Sequence, residues 1–405
     1  MFSGVYFVKP LPVALELVRS RCHPLGPEDV PIEKAAGRIL ARPVIAARDL
    51  PGTDISMMDG YALRATDSGE PLRVVYEVAA GDPPPAQALG PREAARIFTG
   101  APIPPGADCV VMQEQAERRG EELRVGRATA GQHVRRRGEE VHAGDTVLPA
   151  GTALHAAELS LAAASGSARV AVHRRPRVGI LVTGDELVPV GTEPPPGKLV
   201  VTNSIAIAQY VREAGAEPIL LGIAPDRTDE IARTLASAEA DVLVTTGGAS
   251  VGDHDHAQAA FEKIAGELVF HTVAIRPGKP VLFGTASRGR LVFGLPGNPA
   301  AAMLGFELFV RPALRILGGD PKPERVRARA VLRGGTLSGI PGLTFFPRGL
   351  AVVENGRIAF TPRGQQSSMQ IGSWSAVNAI AQIPPGEGKL EPGQEIDVLL
   401  LGPLA

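Results

Sequence analysis

The sequence predicts a multidomain α/β protein. It reads as a doubly wound, mostly parallel α/β domain with a small β domain, a hinge or stalk region and a C-terminal β-barrel or sandwich. Three observations carry this. Residues 176–320 alternate buried-type apolar strands with helical segments, the pattern of a parallel sheet. Residues 51–140 and 325–405 break instead into short β-type runs separated by Gly and Pro. The chain has 405 residues, enough for two to four domains at roughly 100–200 residues each.

Residues 1–50 carry an N-terminal helix and part of the hinge. A helix over 12–21 is predicted, with Pro12 in its first turn and Val13, Leu17 and Val18 on one face. A second helix is expected within 28–50, then a strand-like stretch at 43–47. The small β domain, 51–140, has runs at 72–78, 95–98, 109–112 and 123–125, with Gly81-Asp82-Pro83-Pro84-Pro85 as a separator. Residues 141–175 supply the rest of the hinge, including an Ala-rich helix over 156–164.

The α/β domain opens with a continuous apolar strand at 177–182, bounded by Pro176 and Thr183-Gly184. Asn203 or Ser204 caps a helix ending at Gly215. Strand 218–223, helix 226–238, strand 241–246, helix 256–264, strands 268–275, 281–284 and 291–293, and a long apolar helix over 299–317 follow. Pro321 and Pro323 mark the linker. The C-terminal β domain, 325–405, has strands at 326–332, 350–353, 357–360, 379–383 and 395–400.

Composition excludes several classes. Lys plus Arg is 42 and Asp plus Glu 43, which argues against charge-driven nucleic-acid binding. Aromatics are only 4%, too few for a stacking platform. Cys22 and Cys109 stand alone, so neither a disulfide framework nor a structural zinc site is expected. Lys9, Pro10, Pro12 and Glu16 interrupt the N-terminal apolar run, so no signal peptide is expected. No stretch reaches about 18 uninterrupted apolar residues. The expectation is a cytoplasmic protein with neither nucleic-acid nor membrane partners.

In open α/β sheets ligands bind beyond the carboxyl ends of the strands. Three clusters fall there: Thr183-Gly184-Asp185-Glu186, Gly247-Gly248-Ala249-Ser250-Val251-Gly252-Asp253-His254-Asp255, and Gly294-Leu295-Pro296-Gly297-Asn298-Pro299. Gly-rich turns and helix N-termini suit an anion. Asp185, Glu186, Asp253 and Asp255 would repel a phosphate unless a divalent cation intervened, and Mg²⁺ is the hard cation for that role. A phosphorylated or nucleotidylated ligand with Mg²⁺ is the inference; a plain tight turn is the alternative at each single cluster. Neither dinucleotide nor Walker fingerprints occur. Arg276 and Lys279 flank Pro277-Gly278 and either hold an oxyanion or line a solvated loop. Arg135-Arg136-Arg137 is an anion site or, more often, a solvated face. His254 and His256 lack a third ligand and are read as non-ligands. From the residues alone Asp59-Gly60 is a turn.

Taken in order, Ser56-Met57-Met58-Asp59-Gly60-Tyr61-Ala62, Thr99-Gly100-Ala101-Pro102, Gly106-Ala107-Asp108, Thr183-Gly184-Asp185-Glu186-Leu187, Thr246 through Asp253, Pro277-Gly278-Lys279-Pro280 and Gly294 through Pro299 resemble the molybdopterin molybdenumtransferase family over nearly the whole chain. The resemblance implies a homodimer whose site lies between the α/β domain of one subunit and Asp59 and Thr99 of the other. It implies Mg²⁺- and molybdate-dependent cleavage of adenylylated molybdopterin, releasing AMP and leaving molybdenum on the dithiolene. Carried over residue by residue, Asp59, Thr99, Glu186, Asp226 and Asp255 match catalytic positions, and Asp185, Glu186 and Asp255 would hold Mg²⁺. Thr183, Gly184, Asp185, Gly247, Gly248, Ser250, Gly252, Asp253, Pro296, Gly297, Asn298 and Pro299 would bind the cofactor precursor. Arg276, Lys279, Arg348 and Ser368 match positions the family associates with molybdate or the ligand phosphate. Glu140 stands where the family often has Asp, Arg276 where Lys is common, and Ala301 where many relatives have Ser. Partner adenylyltransferase and molybdoenzymes are further implied. The competing readings are the related adenylyltransferase and a cofactor-binding scaffold without turnover.

Overall fold

The computed structural model describes residues 8–248 and 256–404. The chain forms two compact units, Asp29–Val172, and Met1–Glu28 together with His173–Ala405.

The larger unit is built on a six-stranded sheet. Its spatial order is Glu217–Ala224, Arg177–Thr183, Val242–Thr246, Arg290–Leu295, Pro280–Ala286, Ala265–Thr272. The first four strands are mutually parallel; Pro280–Ala286 runs antiparallel to Arg290–Leu295, and Ala265–Thr272 antiparallel to Pro280–Ala286. Side chains alternate between two cores. Val178, Ile180, Val242, Val244, Leu291, Phe293 and Leu295 face helix Asn203–Glu213 and the helical stretch from Pro299 to Leu317. Leu181, Leu243 and Val292 face Ile231 and Leu235 of helix Thr228–Ser237 and Ala260 and Phe261 of helix His256–Ile264. At about 1.5–3 kcal/mol for each large apolar side chain buried, these two layers dominate the unit's stabilisation. The doubly wound fold class thus stands.

The stretch 299–317 is not one uniform α-helix. Phe306–Val310 is a π-turn between helices Pro299–Gly305 and Arg311–Leu317. Pro312 has no N–H for the carbonyl of Leu308, and a π-turn just before it absorbs the missing bond. Within that turn Glu307 is buried and makes a two-pronged pair with Arg325, at 2.9 and 3.0 Å. Arg325 also donates to the Leu401 carbonyl at 2.7 Å, so one buried pair ties the last helical stretch to the C-terminal strands. Burial and the neighbouring Arg325 push Arg311 down to about 10.

The C-terminal strands close into a five-stranded barrel: Arg327–Leu332, Arg357–Pro362, Arg348–Glu354, Ala379–Gln382 and Glu395–Leu400. This decides between barrel and sandwich. Ala330, Leu332, Ala351, Phe360, Ala381, Ile396 and Val398 fill it. Arg329 pairs outside with Glu395 and Asp397 of the neighbouring strand.

In Asp29–Val172 a six-stranded sheet runs Cys109–Met112, Gly60–Leu63, Glu93–Ile97, Leu72–Val78, Glu122–Val125, Ala116–Arg119. Residues Ala35, Leu40 and Val44 share one apolar cluster with Leu148, Leu154, Ala162, Val170 and Val172, and helix Ala156–Ala164 lies where predicted.

Several expectations need correction. The first helix is Leu11–Arg19 and buries Leu11, Ala14 and Val18, while Val13 is 46% exposed. No α-helix forms within 28–50; there is only a single 3₁₀ turn, Ile32–Lys34, because Pro27, Pro31, Gly37 and Pro43 leave no run long enough. Asp59-Gly60 is not a free turn. Gly60 opens a strand paired on both sides, where a Cβ would lie 2.0 Å from the Val111 carbonyl oxygen. Thr202, not Asn203 or Ser204, is the helix cap, and it makes no side-chain capping bond. Both cysteines are buried free thiols, pushed by burial up to about 12.

The Glu307 pair generates a prediction. Glu307→Ala leaves two partly buried guanidinium groups, those of Arg325 and of Arg311 (3.9 Å away), without their carboxylate and should cost about 3 kcal/mol. Calorimetric unfolding should show a clear drop in melting temperature; an unchanged transition would mean that the pair carries no net stability.

Candidate functional site

Two adjoining cavities lie at the carboxyl ends of the parallel strands, and both are lined by Pro280, Pro296 and Asn298. The first, about 590 Å³, is lined among others by Thr183, Gly184, Glu186, Asp226, Gly247, Gly248, Pro296, Gly297, Asn298 and Pro299. Ten of the sequence-predicted positions therefore meet around one space. Its outer wall is apolar, with Leu187, Leu199, Met369 and Ile371.

The turns are shaped by glycine. Gly247 has φ +96°, and a Cβ there would lie 2.2 Å from the Thr183 carbonyl oxygen. Only glycine lets the two strand ends approach so closely. At Gly184 a Cβ would meet the Glu186 carboxylate oxygens at 2.6 and 2.8 Å, so its absence lets Glu186 fold back over the turn.

The polar atoms of this cavity are largely unused by the protein. Thr183 Oγ1, Thr246 Oγ1, Asn203 Oδ1 and Asp226 Oδ1 are buried without a hydrogen-bond partner. Such orphans cost about 1–3 kcal/mol each unless a ligand or water meets them. Asn203 is oriented by its amide N–H, which donates to the Gly297 carbonyl at 2.9 Å. Asp185 accepts the Asp226 backbone N–H at 3.3 Å, and its carbonyl accepts from Lys198 Nζ at 2.6 Å. Glu186 and Asp226 are hard oxygen donors on one cavity, and Mg²⁺ is typically held by one or two carboxylates plus substrate phosphates. The donor set fits that ion. Among the described residues no group of three His, Cys, Asp or Glu side chains comes together. Ser250, Gly252, Asp253 and Asp255, with His254, lie outside the described residues. His256 is within hydrogen-bond distance of Thr228, 3.2 Å from Nδ1 to Oγ1.

The second cavity, about 800 Å³, is lined by Arg276, Lys279, Asn298, Ala301 and the segment from Gln365 to Ser368. Strand Ile275–Arg276 pairs with Thr344–Phe345, which fixes the Arg276–Lys279 loop against the C-terminal region. Asn298 Nδ2 donates to Ser368 Oγ at 3.2 Å, and the Ala300 N–H donates to the Ser368 carbonyl at 3.0 Å. Ala301 lies against Gly278. Arg348 is fully buried; its Nη2 donates to the Gln365 and Ser367 carbonyls at 3.2 and 3.1 Å. The first cavity thus offers carboxylates and acceptors, and the second offers cations.

In Asp29–Val172, Asp59 accepts from the Thr99 backbone N–H at 2.7 Å and from its hydroxyl at 2.9 Å. The N–H first, and the hydroxyl next, hold the Asp59 carboxyl below its usual range. The arginine run is internally neutralised. Arg135 pairs with Glu140, Arg136 with Asp54 at 2.6 Å and Arg137 with Asp49 at 2.5 Å. It is an ion-pair network, not a free anion site.

Sequence reasoning did not single out the apolar wall or Asn203 as a cavity residue. The triplet Thr202-Asn203-Ser204 at a helix start was the available signal, and it reads equally well as a simple cap.

Comparison with known proteins agrees with this geometry. The chain matches the MoeA N-terminal region (domain I and II) over residues 10–166. It matches a probable molybdopterin binding domain over 179–316 and the MoeA C-terminal region (domain IV) over 330–401. It is 39% identical to a molybdopterin molybdenumtransferase of Nostoc sp., over 92% of this chain and 88% of that protein. Identity to the molybdopterin molybdenumtransferase of Bacillus subtilis is 37%, over 97% and 94%. A solved structure, the molybdopterin biosynthesis MoeA protein from Pyrococcus horikosii, superposes with TM-score 0.83 at 33% identity, covering 98% of this chain and 100% of that one. With three matching regions spanning most of its length and a full-length fold in common, this chain belongs to the MoeA family of molybdopterin molybdenumtransferases.

Proposed function

We propose that the protein inserts molybdenum from molybdate into adenylylated molybdopterin, with Mg²⁺-assisted cleavage of the adenylyl–phosphate linkage and release of AMP. The observation that carries this reading is the pairing of two adjoining cavities of opposite character. One has unpartnered Thr183, Thr246, Asn203 and Asp226 oxygens; the other is lined by Arg276 and Lys279. A precursor with a pyrophosphate and a dithiolene needs such a divided site, and molybdate, a dianion, suits the cationic half.

The roles follow from position. Glu186 and Asp226 would hold Mg²⁺, with Asp185 and Asp255 as further proposed ligands. When bound, Mg²⁺ would neutralise charge on the phosphate oxygens at the bond to be cleaved. Thr183 and Thr246 are placed to orient the precursor through their free hydroxyls. The turns at Gly184, Gly247, Gly248 and Gly297 let its phosphates approach backbone N–H groups. Leu187, Leu199, Met369 and Ile371 give the heterocycle an apolar wall. Lys279, Arg276, Ser368 and Arg348 draw the oxyanion to the other half. Arg276 presents a planar fork where many relatives present a point charge. We assign Asp59 and Thr99 to the same reaction, supplied by the second subunit of a cytoplasmic homodimer. The adenylyltransferase that would make the precursor and the molybdoenzymes that would receive the product are proposed partners.

The direct test supplies adenylylated molybdopterin and Mg²⁺ to the purified protein, with and without molybdate, and measures AMP. Release should require molybdate and fall by about 10²-fold in Asp226→Asn. Equal release without molybdate, or full activity in that variant, would contradict the reading. The shared site has its own signature. Asp59→Asn and Asp226→Asn should each be inactive, yet subunits of the two refolded together should recover about a quarter of wild-type activity, through one intact site per mixed dimer. A mixture as inactive as its components would rule out a site completed by a second subunit.

A further inference from the structure

Asp59 and Thr99 are both exposed, where side chains ordinarily exchange among rotamers. Here they lock onto each other at 2.7 and 2.9 Å, and the chain on either side of the pair converges on Arg96. This half-buried side chain lies on strand Glu93–Ile97, directly opposite Tyr61 of strand Gly60–Leu63. Its Nη1 donates to the carbonyl of Gly60, the residue after Asp59, at 2.8 Å. Its Nη2 donates to Gln113 Oε1 at 2.5 Å. Gln113 in turn donates its backbone N–H to the Asp59 carbonyl at 3.1 Å. The Gln113 Nε2 donates to Glu114 at 3.1 Å, which leaves Oε1 as the end that accepts from Arg96. The guanidinium carbon also lies 4.7 Å from the ring centroid of Phe98, the residue before Thr99, and 5.3 Å from that of Tyr61. One planar group thus touches the chain just after Asp59 and just before Thr99. Both of its acceptors are neutral, so they do not cancel its charge.

We propose that Arg96 is the positioning residue of the Asp59–Thr99 pair, its fork and aromatic contacts holding the chain on both sides so that the Asp59 carboxylate meets the substrate in one orientation. The inference rests on the reading that Asp59 takes part in the proposed reaction. Lysine has the charge but not the shape: an ammonium is a point charge with no fork and no plane to stack. Charge adds a second effect. After the Thr99 N–H and hydroxyl, Arg96 helps to hold the Asp59 carboxyl below its usual range. The other charged side chain of this network, Glu114 on the turn Gln113–Gln115, is bonded to Gln113.

Two variants separate shape from charge. Arg96→Lys keeps the charge and loses the fork; Arg96→Met loses both. Each is supplied with adenylylated molybdopterin, Mg²⁺ and molybdate, and AMP is measured per folded protein. The kcat should fall at least about tenfold in both, since a displacement of about 1 Å can cost about 10²-fold, while KM stays within about twofold. The pH profile gives a readout that mere loss of folded protein does not move. Removing a neighbouring cation raises a carboxyl pKa, so the acid limb of kcat should move to higher pH in Arg96→Met and stay in place in Arg96→Lys. Wild-type kcat in Arg96→Lys, a change confined to KM, or an unmoved limb in Arg96→Met would each overturn the proposal. If Arg96→Met does not fold, the kcat and KM of Arg96→Lys still decide. Asp59→Asn separates the two levels. Full activity in that variant removes the reading beneath; an inactive Asp59→Asn beside unaffected Arg96 variants removes only this inference.

Discussion

Three parallel strands, Arg177–Thr183, Val242–Thr246 and Arg290–Leu295, are buried on both faces and leave their polar groups only one place to go, and the rest of the molecule follows from that constraint. Val178, Ile180, Leu181, Val242, Leu243, Val244, Leu291, Val292 and Phe293 spend the length of the strands on two apolar cores. Polarity is confined to the tips, where Thr183, Thr246 and the turns after them emerge together. Because parallel pairing aligns those tips, the hydroxyls and carboxylates gather around one cavity. The tight glycine turns are required by the same crowding, since a Cβ at Gly247 would strike the neighbouring strand end.

The barrel completes this edge. Strand Arg348–Glu354 begins with the buried Arg348, and the segment from Gln365 to Ser368 bends back onto Asn298 and Ala300. The buried Glu307–Arg325 pair and the Ile275–Arg276 pairing with Thr344–Phe345 anchor the two halves of this unit. The cationic cavity therefore takes walls from both, and its charges are held beside the acceptor-rich cavity instead of inside it. That separation keeps Lys279 and Arg276 from being neutralised by Glu186 and Asp226. The arginines at 135–137 show the opposite case, each already paired with a carboxylate of its own unit.

Much of this was legible in the sequence. Period and punctuation place the α/β strands, helix Ala156–Ala164 and the barrel strands close to where they lie, because burial on one or two faces writes itself into residue order. The strand-tip motifs were legible because parallel sheets put ligands there. What failed depended on partners distant in sequence. Gly60 looks like a turn until Val111 and the strands on either side are in view. Nothing local distinguishes Val13, which is exposed, from Ala14, which is buried. The place of Asn203 in the cavity rests on which atoms lack partners, and one-dimensional sequence holds no record of an unmet hydrogen bond.

The central claim is that the acceptor-rich cavity at the strand tips and the cationic cavity beside it hold different parts of one reaction. Diffraction at the molybdenum absorption edge from crystals grown with AMP and molybdate tests it most directly. The account predicts an anomalous peak in the cavity lined by Lys279 and Ser368, near Arg348, with AMP in the cavity lined by Thr183, Asp226 and Gly247. Molybdenum among the strand-tip carboxylates, or AMP in the cavity of Arg276 and Lys279, would contradict it.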